Sequence, residues 1–299
     1  MDDKTTDFRS GYVSIIGRPN VGKSTLLNAI LGEKIAIVTP KPQTTRNRII
    51  GIKTVANAQI IFIDTPGIHR PKHVLGETMV KVALRALNEV DVILFMVESH
   101  EPKRGDHAII DILKKVTTPV FLLINKIDTV KKSDILPIID RFRNFDLFKE
   151  IIPISALKQD GVSILLKRVC GYLPEGPKYY PDDLITDQLE RFMVSEIIRE
   201  KIMDMTEEEV PHSVAVEVAQ WNEREDGLIS IICNIYVERA GQKGIIIGKQ
   251  GTMIKSIGSA ARSDIEKLLN TKVFLDLWVK VKINWRNDKQ MLREFGYSC

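Results

Sequence analysis

Gly17-Arg18-Pro19-Asn20-Val21-Gly22-Lys23-Ser24-Thr25 sets two glycines, a lysine and a hydroxyl residue in the spacing G-x-x-x-x-G-K-[ST]. That order suits one chemistry. The glycines let backbone N–H groups turn toward phosphate oxygens, Lys23 reaches the β- and γ-phosphates, and the Ser24 hydroxyl ligates Mg²⁺. A second cluster, Asn125-Lys126-Ile127-Asp128, names the base. The Asp128 carboxylate can accept from both N1–H and the exocyclic amine of guanine. Adenine offers neither donor there, and a buried acceptor left unpaired is costly. Asn125 is expected to tie this loop to the phosphate loop, and the Lys126 stem to lie along the ring. Ser155-Ala156 offers a backbone N–H to the guanine O6.

Asp64-Thr65-Pro66-Gly67-Ile68 adds a carboxylate, Asp64, expected to hold Mg²⁺ through a water, and the Gly67 N–H, expected to sense the γ-phosphate. The loop Pro40–Arg46 is polar and proline-marked, the kind of segment that a ligand orders and its loss releases. Thr44 or Thr45 completes the Mg²⁺ shell from this loop, with Thr45 favoured. Ras-like enzymes orient the attacking water with a glutamine just after the D-x-x-G glycine. Ile68 stands there and cannot do so. The catalytic candidates are therefore Lys23, Asn20, Thr45 and Gly67, and slow basal hydrolysis is expected. An amide at Asn20 can help to hold K⁺ against the phosphates and so supply positive charge. His69 reads as an exposed switch residue rather than a base, because nothing in the sequence orients its ring. His69 and His73 have helical spacing, but Pro71 lies between them, against a metal pair.

These residues need strand ends to hold them. Tyr12–Ile16, Gln59–Ile63, Val90–Val97, Val120–Ile124 and Ile151–Ile154 are short apolar runs with polar, Gly or Pro ends, and they read as buried strands. Ile49–Thr54 turns through Ala56-Asn57 into Gln59, which predicts an antiparallel hairpin. Helix-length stretches at Lys23–Leu31, Gly76–Asn88, Gly105–Lys115, Ser133–Arg143 and Gly161–Tyr172 alternate with the strands. The alternation predicts a mostly parallel sheet covered on both faces, with its sites at the carboxyl ends of the strands. Pro174–Pro181 holds three prolines and reads as an extended linker.

Beyond the linker the rhythm changes to a helix over Asp187–Met203, strands over Ser213–Trp221 and Leu228–Val237, a helix over Thr252–Leu268, a strand over Lys272–Ile283 and a last short helix. Ile246-Ile247-Gly248-Lys249-Gln250-Gly251 precedes the long helix. A G-x-x-G loop between two helices lets a nucleic-acid backbone come close. Lys249 supplies a phosphate contact, Ile246, Ile247 and Ile254 floor an apolar groove, and Gln250 and Lys255 flank it. Basic residues outnumber acidic ones from Lys243 to Arg293. Trp221, Trp278 and Trp285 read as core.

With 299 residues, 44% of them hydrophobic and 27% charged, the chain has room for two globular domains. The net charge of +4 permits an anionic partner without demanding one. The three cysteines, Cys170, Cys233 and Cys299, have no metal-ligand spacing and fit reduced thiols. The acidic N-terminus is not a signal peptide, and no apolar run is long enough to span a bilayer. A soluble intracellular protein is expected.

The motif order G-R-P-N-V-G-K-S-T, P-Q-T-T-R, D-T-P-G-I-H, N-K-I-D and S-A-L, followed by I-I-G-K-x-G, resembles the Era family of bacterial ribosome-assembly GTPases over nearly the whole chain. The resemblance implies an α/β P-loop GTPase domain over 1–174, a linker over 175–186 and a smaller α+β type II KH domain over 187–299. It implies GTP/GDP and Mg²⁺ as ligands. It also implies a GTP-loaded state that binds RNA near the 3′ end of small-subunit ribosomal RNA on the 30S subunit, a monomer, and peripheral association with the inner membrane. Only the mild positive charge supports the last. Where the family pattern has a third glycine, this chain has Gln250. Two other classes compete: a signalling GTPase whose C-terminal domain docks a protein, and an RNA-binding module with structural nucleotide.

Overall fold

The computed structural model describes residues 8–297, so the polar N-terminus and Cys299 lie outside the described residues. The chain divides into two compact units. The first runs to Ala36 and includes Thr45–Pro71 and Met79–Asp187; the second comprises Ile37–Thr44, Lys72–Thr78 and the chain from Gln188.

The apolar runs of the first unit form strands β1 (Arg9–Gly17), β2 (Ile49–Val55), β3 (Ala58–Asp64), β4 (Val92–Glu98), β5 (Val120–Asn125) and β6 (Glu150–Pro153). Helices α1 (Lys23–Leu31), α2 (Val74–Arg85), α3 (Arg104–Leu113), α4 (Lys132–Arg143) and α5 (Val162–Tyr172) lie in the connections. The strand order is β2-β3-β1-β4-β5-β6. β2 pairs antiparallel with β3, and every other pairing is parallel. A parallel strand buried on both faces must be apolar along its length, and β3 and β5 are buried throughout. Ile16, Phe95, Val97, Leu122 and Ile124 of three neighbouring strands pack with Ile109, Ile110 and Leu113 of α3 and Ile138 and Phe142 of α4. This core fixes the carboxyl ends of β1, β4 and β5 side by side.

The proline-rich stretch is extended, as its composition predicts, but it is pinned to the sheet. Ser10 N–H donates to the Pro174 carbonyl at 3.1 Å and Gly176 N–H to the Phe8 carbonyl at 3.0 Å. The buried Gln59 side chain accepts from the Tyr179 and Tyr180 N–H groups at 2.8 and 2.9 Å. Ile52 N–H then donates to the Ile185 carbonyl at 2.8 Å.

The second unit contains α6 (Glu190–Met205), α7 (Val210–Ser213), β7 (Ala215–Glu223), β8 (Ile229–Val237), α8 (Ala240–Ile247), α9 (Thr252–Leu269), β9 (Val273–Val281) and α10 (Lys289–Glu294). Its sheet runs β7-β8-β9, with β7 antiparallel and β9 parallel to the central β8. Val194, Ile198 and Ile202 of α6, Ile231, Cys233 and Ile235 of β8, and Ile257, Ala261 and Ile265 of α9 build its core. The last three fall at i, i+4 and i+8, the spacing of one helix face.

One aromatic placement differs from the core reading: Trp285 and Trp221 belong to or pack against the core, whereas Trp278 does not. Trp285 is fully buried and its indole N–H donates to the Ser213 carbonyl at 2.9 Å. Trp221 is half-buried, with Arg191 stacked 5.9 Å from its centroid. Trp278, in contrast, is 57% exposed. Strand parity explains it, because Val273 and Val279 are the β9 residues turned into the core, and Trp278 takes the opposite face.

Candidate nucleotide and RNA sites

The phosphate loop leaves β1 at Gly17 and enters α1 at Lys23. Gly17 and Gly22 cannot be replaced without displacing a neighbour. A Cβ at Gly17 would lie 2.4 Å from the Met96 carbonyl oxygen, and one at Gly22, whose φ is +102°, would lie 2.3 Å from Asn125 Nδ2. Asn125 Nδ2 donates to the Val21 carbonyl at 2.7 Å, so the base loop and the phosphate loop are tied directly. Lys23 is buried, and its ammonium donates to the Arg18 carbonyl at 3.1 Å. Burial lowers the Lys23 pKa to about 8, with Asp64 pulling the other way. Arg18 turns aside: its Nε donates to the buried Asp106 carboxylate at 2.7 Å. Asn20 is exposed in left-handed backbone, φ 67°, a conformation that asparagine tolerates better than most residues. Thr25 lies in the first turn of α1, half-buried.

Ser24, Thr45 and Asp64 meet at the carboxyl end of β3. Ser24 Oγ donates to Asp64 Oδ2 at 2.6 Å and lies 2.8 Å from Thr45 Oγ1. The Thr44 hydroxyl goes elsewhere, to the Lys41 carbonyl at 2.7 Å. The other carboxylate oxygen, Asp64 Oδ1, is buried and has no hydrogen-bond partner. A buried carboxylate oxygen with no donor is expensive. Burial accordingly raises the Asp64 pKa, against the pull of Lys23. Two neighbouring ligands of an octahedral Mg²⁺ at about 2.0–2.1 Å stand about 2.9 Å apart. The Ser24–Thr45 separation fits that edge, and the donor set is all oxygen. These residues fit Mg²⁺.

Gly67 lies against the phosphate loop so closely that a Cβ there would sit 2.6 Å from the Pro19 nitrogen. Ile68 N–H donates to the Gly17 carbonyl at 3.0 Å, and the Thr65 hydroxyl to the Ile15 carbonyl at 2.8 Å, while Pro66 is buried between them in sequence. His69 differs from the sequence reading. It is half-buried, and its Nδ1 lies 2.8 Å from the Gly67 carbonyl oxygen, so the ring does have an orienting group.

At the base loop, Lys126 takes a left-handed φ of 65° and its ammonium pairs with Glu98. Burial opposes the Glu98 charge, yet Lys126 and His100 hold its carboxyl below the usual range. Ile127 N–H donates to the Ile154 carbonyl at 3.3 Å. Two details of this loop escape sequence reasoning. The Ser155 hydroxyl donates to Asp128 Oδ1 at 2.6 Å, and both N–H groups of the Ser155-Ala156 pair, expected to offer one to the guanine O6, are engaged within the chain, Ser155 with the Asp160 carbonyl at 3.0 Å and Ala156 with Asn125 Oδ1 at 2.9 Å.

In the second unit the G-x-x-G loop joins α8 to α9. Gly248 has φ +72°, and a Cβ there would meet Met253 Cβ at 2.6 Å and Met253 N at 2.8 Å. Gly251, φ +76°, has open space around it and needs only the backbone freedom. Lys249 and Gln250 are exposed between them, Gln250 at φ 53°. A groove of about 300 Å³ opens between α9 and β9, lined by Ile254, Lys255, Gly258, Ser259, Arg262, Leu275, Asp276 and Leu277. Ile254 and Lys255 belong to it as expected. Ile246 does not: it is fully buried in the core, and Ile247 is half-buried against the same core. Gly258, Ser259 and Arg262 repeat the helical spacing of Ile254 and Lys255, a signal present in the sequence. The β9 residues are placed only by the tertiary fold.

Residues 12–126 match the family model described as 50S ribosome-binding GTPase, and residues 209–286 match the model of the KH domain. The chain is 56% identical to GTPase Era of Ruminiclostridium cellulolyticum over 97% of its length and 98% of the relative's. It is 58% identical to GTPase Era of Geobacter metallireducens, again over 97% and 98%. Among solved structures, Era in complex with MgGDPNP and nucleotides 1506–1542 of 16S ribosomal RNA superposes with a TM-score of 0.95 at 44% identity, covering 98% of this chain and 100% of that one. An Aquifex aeolicus Era variant bound to GDP·AlF₄⁻ matches with the same identity, TM-score and coverage.

Proposed function

The chain belongs to the family of GTPase Era, and on that premise we propose that it is a switch protein that binds and hydrolyses GTP with Mg²⁺ and grips small-subunit ribosomal RNA through its KH domain. In this reading the RNA is the 3′ region that the related Era complex contains, and the chain assists 30S maturation. The GTPase domain is assigned to 1–174, the linker to 175–186 and the KH domain to 187–299.

The observation that carries the reading is a ligand-ready oxygen cluster at Ser24, Thr45 and Asp64 in a chain that also carries a groove along Ile254–Arg262 of the helix that follows the G-x-x-G loop. Lys23 meets the β- and γ-phosphates, Ser24 and Thr45 ligate Mg²⁺, Asp64 holds it through water, and Gly67 N–H senses the γ-phosphate. Bound Mg²⁺ neutralises charge on the phosphates as it develops. Asp128 reads guanine, with Asn125, Lys126 and Ser155 holding its loop. Ile68 leaves the water without an orienting side chain, so basal turnover is slow, and K⁺ held near Asn20 speeds it. Lys249, Gln250, Ile254 and Lys255 line the path of a single RNA strand. Among the described residues no helix is long and apolar enough to cross a membrane. A cytoplasmic protein that touches the inner membrane only peripherally fits the family.

The test is the full-length double variant Lys249→Asp, Gln250→Asp. Both side chains are exposed, and aspartate tolerates the left-handed backbone at 250, whereas a side chain at Gly248 would strike Met253. RNA affinity is expected to fall roughly a hundredfold while GTP binding stays unchanged. Hydrolysis is measured beside it in K⁺ and in Na⁺, with the faster rate expected in K⁺. Full RNA affinity in the variant would overturn the groove assignment, and equal rates in the two salts would remove K⁺ from the mechanism.

A further inference from the structure

On β9 the residues alternate between two faces. Val273, Leu275, Leu277 and Val279 pair in register with Ile229, Ile231, Cys233 and Ile235 of the core face. Phe274, Asp276, Trp278 and Lys280 share the other face with Ser230, Ile232, Asn234 and Tyr236 of β8. The C-terminal segment covers one end of that open face, where Tyr236 lies 4.6 Å from Phe295, centroid to centroid. At the other end Phe274 is 53% and Trp278 57% exposed, with the half-buried Ile232 on the neighbouring strand.

We propose that Phe274 and Trp278 form a second RNA subsite, on which unstacked bases stack after the strand leaves the groove and passes over the β9 edge. This rests on the reading of the groove as an RNA site. Three observations select the occupant. First, the subsite is continuous with the groove. β9 is an edge strand, and Leu275, Asp276 and Leu277, interleaved with the two aromatics, line the groove itself. Second, the rings are aromatic, exposed and pre-set. The Trp278 indole N–H donates to Asp276 Oδ2 at 2.9 Å, which fixes the ring edge and leaves the π-face for a base. Phe274 and Trp278 stand about 13 Å apart at about 3.3 Å per residue, with room for a base on each. Third, the charge suits a polyanion. Lys280 and Lys282 are exposed at the end of the strand. Glu217 spends its carboxylate on Asn234 and Tyr236, at 3.2 and 2.8 Å. Base stacking on aromatic side chains tolerates any sequence, so this subsite adds length preference rather than base identity.

The experiment uses the full chain with a non-hydrolysable GTP analogue and single-stranded fragments of the 16S ribosomal RNA segment 1506–1542, lengthened stepwise at either end. Affinity of the natural chain is expected to rise in two stages as fragments lengthen. Trp278→Ala and Phe274→Ala, both at exposed positions, each remove the later stage, a loss of roughly tenfold on long fragments only. Trp278→Phe retains most of it, and the Lys249→Asp, Gln250→Asp variant abolishes the first stage. Unchanged affinity of Trp278→Ala at every length overturns the subsite, as does an equal loss at every length. If Trp278→Ala instead breaks self-association in sedimentation while RNA affinity stands, the face binds a second copy and the subsite is refuted. If the natural chain binds none of the fragments, the groove reading fails and takes this inference with it.

Discussion

The Ser155 hydroxyl accepts from Lys158 N–H at 3.1 Å, so its own proton is directed to Asp128 Oδ1. On the proposed reading of guanine by Asp128, this small relay determines which carboxylate oxygen is left for the base. In Asp128→Asn the carbonyl oxygen of the new amide takes the place beside Ser155, and the NH₂ group is turned toward the ligand. Guanine then faces a donor with its own donors, while xanthine offers a carbonyl oxygen at that carbon. We expect the variant to prefer xanthosine over guanosine triphosphate by at least about a hundredfold, read by competition binding. Adding Ser155→Ala lets the amide flip and narrows the preference; retained GTP selectivity in the single variant would refute the role of Asp128. The motif residues themselves were legible in the sequence because each motif is contiguous and its chemistry local. The Ser155–Asp128 and Ala156–Asn125 bonds were not, because each joins segments about thirty residues apart whose meeting depends on β5 and β6 lying side by side.

α6 shows what element-level patterns can and cannot carry. Its helical character was readable, but nothing in its periodicity marks Glu196, Arg199 and Glu200, charged residues that are all buried. Arg199 Nε donates to Glu196 Oε1 at 2.8 Å, and its Nη2 donates to the Thr44 carbonyl. A partner so distant in sequence leaves no trace in periodicity. The same limit applies to Ile246, expected in the groove floor but buried in the core by the packing of α8, and to Trp278, expected in the core but turned to the open face by the pairing of β9 with β8. The strands and the antiparallel hairpin were readable, since buried parallel strands must be apolar throughout and the turn at Ala56-Asn57 is short, whereas the order β2-β3-β1-β4-β5-β6 rests on the tertiary fold. Arg199→Met would leave the Glu196 carboxylate buried without its guanidinium. A loss of about 3 kcal/mol or more is expected in urea unfolding. Restoring neutrality with Glu196→Gln in the same chain should recover a large part of it, and independent, additive losses would show that the pair does not act as a pair.

The second unit is not one stretch of chain, and that has a consequence for any attempt to cut it out. Ile37–Thr44 belongs to it and supplies three links to α6. Val38 N–H donates to Glu200 Oε1 at 3.0 Å, the Lys41 ammonium donates to the Met203 and Thr206 carbonyls, and the Thr44 carbonyl accepts from Arg199. Lys41 thus caps orphan carbonyls where the negative end of the α6 dipole lies. From Lys72–Thr78, Val74 N–H donates to Asn287 Oδ1 at 3.2 Å. A fragment beginning at Gln188 retains the apolar core of α6, β8 and α9 and is expected to fold, but Arg199 and Glu200 each lose a partner while remaining largely shielded from water. Two or more such bonds at about 1 kcal/mol or more apiece, with about 4–8 °C per kcal/mol for a domain of this size, amount to a melting temperature roughly 10 °C or more below that of the same unit in the intact chain. Near-UV circular dichroism of the buried Trp285 follows the unit in both molecules. Lys41→Met in the intact chain should reproduce part of the drop. If the fragment melts where the intact unit does, residues 37–44 contribute nothing to its stability, and the unit ends at Gln188 after all.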